Sequence, residues 1–366
     1  MSLTIGSLFA GIGGLELGLE WAGLGQVAWQ VEIDPFCREV LAARWPDARR
    51  YEDVRTVDAS VGAVGVLCGG FPCQDVSVAG KGAGLDGARS GLWFEFRRIA
   101  ELLRPAAVVV ENTAGLVGRG LDIVVGGLSD LGYAVEGTRI RASDLGAPHR
   151  RERVFLVGVV TEAAARLPLH VPPTAGGVAQ RPRIRWPLSG PVWFGGGYAT
   201  AVGRGSAPPE VGAWPTPTVK GDYNRAGLSA KSGDGLATAI VGEWATATAR
   251  DTRSCHTGRQ GNSRPLSEQV GERGVTGPLH PAWVEALMGF PAGWTDPAAE
   301  VGPWSGLWPM GRGPEQHPWE PPRMVEARSV PQRGARVKAL GNAVVPACAW
   351  VVGCRVRERL AAVEAT

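Results

Sequence analysis

The sequence predicts an α/β fold: a doubly wound open sheet over residues 1–161, then a smaller irregular part over 162–280 and a segment, 281–366, that returns to the sheet. Three observations carry this. Through the first 160 residues short apolar runs alternate with amphipathic stretches, the βαβ rhythm of a sheet covered by helices. A glycine-rich turn follows the first apolar run and opens the first amphipathic stretch. Past Thr161 that rhythm stops, and Pro, Ala, Gly and Arg dominate as far as Pro187.

In chain order, strands are expected over 4–9, 26–33, 63–68, 106–111 and 154–160, each a run of buried-strand length. Helices are expected over 14–22, 35–44, 92–103 and 121–131, where apolar residues recur at helical spacing. Ten of the fourteen tryptophans lie beyond position 180. Residues 181–260 carry ten Lys/Arg against five Asp/Glu, a local basic excess. Two short segments there, 212–222 and 242–251, echo one another. A Pro/Trp/Gly-rich stretch, 297–322, reads as a loop, and a terminal helix is expected to run to about Arg359 and pack on the sheet.

Length and composition describe a globular chain: 366 residues, 44% hydrophobic, 20% charged. A formal charge of +3 permits a nucleic-acid ligand without demanding one. No charged leader or 18-residue apolar run is read, so a cytoplasmic location with no membrane contact is expected. The six cysteines form no CxxC pair, which argues against a zinc site or a disulfide framework, and no metal is expected. Five are read as small buried hydrophobes, Cys73 being the exception.

Four motifs carry chemistry. Phe9-Ala-Gly11-Ile-Gly13-Gly14 sits between a strand and a helix, where backbone N–H groups can meet a ligand. Its spacing fails the nicotinamide-dinucleotide fingerprint, because the third grid position is Glu16. Glu32 and Asp34 end the second strand, about where a carboxylate grips ribose, and Asp53 follows. Taken together these describe a site for an adenosine-bearing cofactor. Gly69-Gly70-Phe-Pro-Cys73-Gln puts a thiol at the carboxyl end of a strand, where ligands of open α/β sheets lie. Glu111-Asn112 ends a buried run, so the Glu111 carboxyl should hold its proton more tightly. Pro148-His149-Arg-Arg151-Glu-Arg153 gathers arginines suited to phosphate or a base carbonyl.

In this order the motifs resemble the cytosine-C5 DNA methyltransferase family of restriction–modification systems. The resemblance covers about 1–160 and 280–362, and includes Leu287-Met-Gly-Phe-Pro291 and Leu340-Gly-Asn342-Ala-Val344-Val-Pro346. His149 stands where the family prefers Gln, and Ala282-Trp283 where many members carry Arg-Glu. The resemblance implies a Rossmann-like, S-adenosylmethionine-dependent methyltransferase domain with a smaller target-recognition domain at 162–280. It makes Cys73 the covalent nucleophile on cytosine C6 and Glu111 the partner of ring N3. Arg153 would hold the base carbonyl, and Arg151 support the loop. Phe9 would stack on adenine, Glu32 bind ribose and Asp53 meet the adenine amino group, with Gly11, Gly13 and Gly14 forming the cofactor loop. Gly70 and Leu92 would line the pocket, and Asn342 and Val344 close it. The implied product is S-adenosylhomocysteine. Double-stranded DNA is the implied partner of a monomer, a restriction endonuclease being a functional rather than physical companion. Arg250, Arg253 and Arg259 are candidates for reading bases. Two other readings stay open: an RNA (transfer RNA) cytosine-C5 methyltransferase, and a catalytically silent DNA-binding relative.

Overall fold

The computed structural model describes residues 3–72, 91–118, 120–160, 278–311, 315–326 and 329–364, with Trp244, 246–248 and Leu266. Seven strands form one sheet: β1 (Leu3–Leu8), β2 (Gly25–Val31), β3 (Arg49–Tyr51), β4 (Val66–Gly69), β5 (Ala107–Thr113), β6 (Tyr133–Arg141) and β7 (Glu152–Val160), in the order β3-β2-β1-β4-β5-β7-β6. Helices α1 (Gly14–Trp21), α2 (Pro35–Arg44), α3 (Leu92–Leu103) and α4 (Leu121–Asp130) connect them. Further along the chain come α5 (Pro281–Leu287), α6 (Arg333–Asn342) and α7 (Pro346–Glu364).

The strands read most easily from sequence lie inside the sheet. Val66 to Cys68 and Ala107 to Val110 are fully buried, because helices cover both faces. Helix α2 starts where its sequence directs: Asp34 accepts the N–H groups of Phe36 and Cys37, and Pro35 has no N–H to leave unpaired.

Two strands were not expected. Strand β3 is three residues long with two arginines, and β6 carries Glu136, Arg139 and Arg141. Both form edges of the sheet, where one flank faces solvent and the apolar pattern weakens. The sheet is also not wholly parallel. Strand β7 runs antiparallel to both β5 and β6. Only residues 142–151 join β6 to β7, too few for the crossover that a parallel pair needs.

Among the described residues two clusters make up the core, one on each face. On one side α1 packs beneath α7, with Gly18 set so close that a Cβ there would lie 2.3 Å from the Pro346 carbonyl. The expected terminal helix is α7, which starts at Pro346 directly after the Gly-Asn motif. The helix α6 before it was not expected, and the two are divided at 343–345, Pro346 having no N–H to donate back into α6. The segment Arg333–Val363 is apolar enough to cross a membrane, yet 72% of its most apolar window is buried in protein, the position of a core helix. On the other face Trp93, Phe96, Val124 and Leu128 of α3 and α4 pack on the sheet. Cys37, Cys68 and Cys348 are buried free thiols and Cys354 is partly buried, whereas Cys255 lies outside the described residues.

The Pro/Trp-rich stretch is held by contact. Trp304 stacks on Trp21 with ring centroids 5.3 Å apart, and Trp308 donates from Nε1 to the Leu145 carbonyl at 3.1 Å.

Candidate active site

The carboxyl ends of β1 and β2 form one end of the site. After β1 the chain turns sharply through left-handed conformations at Phe9, Gly11 and Gly13. The Gly11 N–H donates to Glu32 Oε2 at 2.7 Å, and the Asp34 N–H donates to Oε1 at 2.8 Å. Glu32 is thereby fixed at the tip of β2, and burial raises its pKa above the ordinary carboxylate value. A Cβ on Gly11 would meet no atom within 4 Å, so the loop opens onto free space. Beside Glu32, Ile33 is 70% exposed. Sequence reasoning missed this residue, although an isoleucine between two strand-end acids was the available signal.

The other expected cofactor residues gather around this turn to different degrees. Phe9 and Leu92, the first residue of α3, pack against the same apolar cluster. Gly14 lies under the Val344 carbonyl, only 2.2 Å from where its Cβ would stand, so the loop after α6 touches the glycine turn. Asn342 is exposed at the end of α6. Asp53 caps a short turn, accepting the Arg55 N–H at 3.0 Å, and its second oxygen lies 3.5 Å from the Arg55 guanidinium. Asp34 serves α2 as its cap and pairs with Lys338 at 3.2 Å.

The ends of β4, β5 and β7 form the second part. Glu111 and Arg153 lie on one face of the antiparallel β5–β7 pair, with Thr113 opposite Arg153 in register. Arg153 Nε meets Glu111 Oε1 at 3.0 Å, and the two side chains are 20% and 12% exposed. Burial raises the Glu111 pKa, while the positive charges of Arg153 and Arg151 work against that rise. Gly70, just past β4, backs onto the same carboxyl, since a Cβ there would stand 2.6 Å from Glu111 Oε2. Asn112 projects to the opposite face and donates from Nδ2 to the Phe71 carbonyl at 2.9 Å. Cys73 lies outside the described residues, as do Arg250, Arg253, Arg259, the echoed segment 212–222 and all of 242–251 except Trp244 and 246–248.

Arg151 has a different place from Arg153. It is buried with a left-handed backbone, and its guanidinium donates to the carbonyls of Ala247, Gly341 and Ala343. Burial, with the nearby Arg153 charge, brings its pKa down to about 9. This side chain is a strut between the arginine motif and the loop after α6. His149 is fully buried, and burial lowers its pKa to about 3, so the ring is neutral. Its Nε2 donates to the Leu287 carbonyl at 2.8 Å, tying the motif to α5.

A buried ion network, also unforeseen, holds the Gly-Phe-Pro loop. Glu285 accepts the N–H groups of Gly293 and Thr295 and pairs with Arg336 at 3.1 Å.

Residues 3–179 match the C-5 cytosine-specific DNA methylase family. The chain is 40% identical over 169 residues to the type II methyltransferase M.Eco47II of Escherichia coli, covering 44% of this chain and 40% of that protein. It is 38% identical over 179 residues to M.PspPI of Psychrobacter sp. (strain TA137), covering 47% and 43%. The chain thus spans less than half the length of these relatives. The S. pombe Dnmt2 methyltransferase structure superposes on 98% of this chain and 99% of its own, with a TM-score of 0.57 at 14% identity. That is a likeness of fold.

Proposed function

We propose that this chain, whose residues 3–179 match the C-5 cytosine-specific DNA methylase family, methylates C5 of cytosine in double-stranded DNA. One observation carries the reading: the Glu111–Arg153 pair stands beside Gly70, at the strand end from which the Pro72-Cys73 segment departs.

The glycine turn fits the adenosine end of S-adenosylmethionine. Gly11 leaves open space, Glu32 offers a fixed carboxylate for ribose hydroxyls, and Phe9 and Ile33 offer apolar surface for adenine. Asp53, Leu92, Asn342 and Val344 would complete the binding surface. When bound, S-adenosylmethionine supplies the methyl group that C5 takes up.

The chain's own residues would do the rest. The target base is hidden in the duplex and must be turned out into the pocket. The Cys73 thiolate adds to C6, and the electron pair displaced from the 5,6 double bond makes C5 nucleophilic. Glu111, with its pKa raised by burial, shares a proton with ring N3 as charge accumulates there. Arg153 donates to the base carbonyl while holding Glu111 in place. After methylation water takes the C5 proton and the Cys73 thiolate is expelled from C6, restoring the 5,6 double bond. Arg151 acts from behind as a strut. Residues 162–280 are assigned to target recognition, their basic excess suiting phosphate. The enzyme would work as a cytoplasmic monomer, with any restriction endonuclease a functional companion.

The test is incorporation of tritiated methyl groups into duplex DNA and, separately, into transfer RNA. Label in DNA alone is expected; label only in transfer RNA overturns the assignment of substrate, and label in neither overturns the activity.

A further inference from the structure

At the outer edge of the sheet three guanidinium groups crowd one carboxylate. Arg139 and Arg141 flank the buried Ile140 on edge strand β6, so both project from the same face. Glu152 stands directly opposite Arg141 on β7. Its Oε1 lies 3.2 Å from Arg139 Nη1, and its Oε2 lies 3.2 Å from Arg141 Nε and 3.5 Å from Arg150 Nη2. The three arginine side chains are 45%, 48% and 61% exposed, against 17% for Glu152. Asp144 is the other acid here, and its carboxylate accepts the Arg141 N–H at 3.1 Å. Among the described residues, three cations against two anions leave an excess of positive charge, and two of the cations sit on one strand.

Stability does not account for the cluster. Exposed ion pairs of this kind contribute about 0–1 kcal/mol, and a single carboxylate shared three ways contributes less per arginine. Position is more informative. Glu152 immediately precedes Arg153, whose side chain leaves the opposite face toward Glu111, so the cluster lies one residue from the candidate catalytic pair. Guanidinium forks suit phosphodiester oxygens, and binding of that kind fixes a duplex in place without reading its sequence.

We propose that Arg139, Arg141 and Arg150 form a docking site for the sugar–phosphate backbone of the duplex, with Glu152 holding the three guanidiniums in orientation until phosphate takes its place. The proposal rests on the DNA-methylase reading and adds an anchoring surface outside both the catalytic pair and residues 162–280.

The experiment measures binding of duplex DNA, with and without the methylated sequence, across a range of KCl concentrations. It compares the wild type with the R139Q/R141Q/R150Q variant and the R139K/R141K/R150K variant. Removing one arginine–phosphate interaction flattens the slope of log affinity against log salt by about 0.9. The glutamine variant is expected to lose up to about 2.7 of that slope, equally on both duplexes, while single-turnover methyl transfer at saturating DNA stays unchanged. The lysine variant, which keeps the charge, is expected to retain most of the slope. Should the triple glutamine variant fail to fold, each single glutamine variant is expected to lose about 0.9. An unchanged slope in the glutamine variants overturns the proposal, as does a loss confined to one of the two duplexes. A wild-type enzyme that methylates DNA while its variants keep the slope sinks the docking site alone. A wild type that methylates no DNA sinks the functional reading instead.

Discussion

The side-chain amide of Asn112 donates to the Phe71 carbonyl at 2.9 Å, so the tip of β5 holds the loop that leaves β4 two residues before Cys73. The neighbouring Glu111 faces the other way, toward Arg153. Consecutive residues on one strand thus serve the loop and the base pocket separately, a division that follows from the twofold alternation of β-structure.

Replacing Asn112 by alanine leaves the buried Phe71 carbonyl without its donor. The expected cost is about 1–3 kcal/mol of stability, read by chemical denaturation. Methyl transfer in a single turnover should slow more than cofactor affinity falls. Equal losses in both would mean that the bond stabilises the fold without positioning the loop.

Cys73→Ala is expected to abolish methyl transfer while leaving duplex binding measurable by a mobility-shift assay. Residual methylation of DNA by this variant would rule out the covalent route.

Breaking the Glu111–Arg153 pair from either side should be unequal. Arg153→Ala leaves a mostly buried carboxylate uncompensated, a change that costs about 3–5 kcal/mol at a fully buried pair and less here, where Arg153 keeps some exposure to solvent. Glu111→Gln keeps the shape and removes the transferable proton, so stability should hold while the transfer rate falls by roughly 10²–10³. A glutamine variant with wild-type rate would show that Glu111 only positions Arg153.

Glu16 offers a test by pH. It is wholly buried on α1, and burial, outweighing the nearby Ser7 hydroxyl, lifts its pKa to about 7. The native state therefore holds a proton that the unfolded chain releases near the ordinary carboxylate value. Stability from this group is present at acid pH and is lost as pH climbs from about 4.5 to about 7. Glu16→Gln should remove that loss, gaining about 3 kcal/mol at pH 8 and little at pH 4.5. Denaturation midpoints at both pH values check the sign, and an equal change at both would place the effect in packing instead.

What was legible in the sequence follows from where the information lies. Strands β1, β2, β4, β5 and β7 declare themselves because their residues are buried on at least one face, and Asp34-Pro35 marks the start of α2 unaided. Strands β3 and β6 do not, since edge positions tolerate Arg50, Glu136 and Arg139. The motif around Arg151 and Arg153 was visible, but not that one arginine meets Glu111 while the other reaches carbonyls up to 192 residues away. Nor does any local pattern pair Glu285 with Arg336, or set Trp304 on Trp21. Those pairings exist only once distant segments have met.

The seat of Gly18 against Pro346 bears on how the molecule is made. Arg357 reaches back to the Ala22 carbonyl across 335 residues of sequence, so α1 waits for a partner that leaves the ribosome long after it. At the ~5–20 residues per second of synthesis, one face of the sheet stays bare for tens of seconds. Such distant pairing slows folding and invites association between half-made copies, and expression at low temperature with chaperones is the condition that favours a good yield.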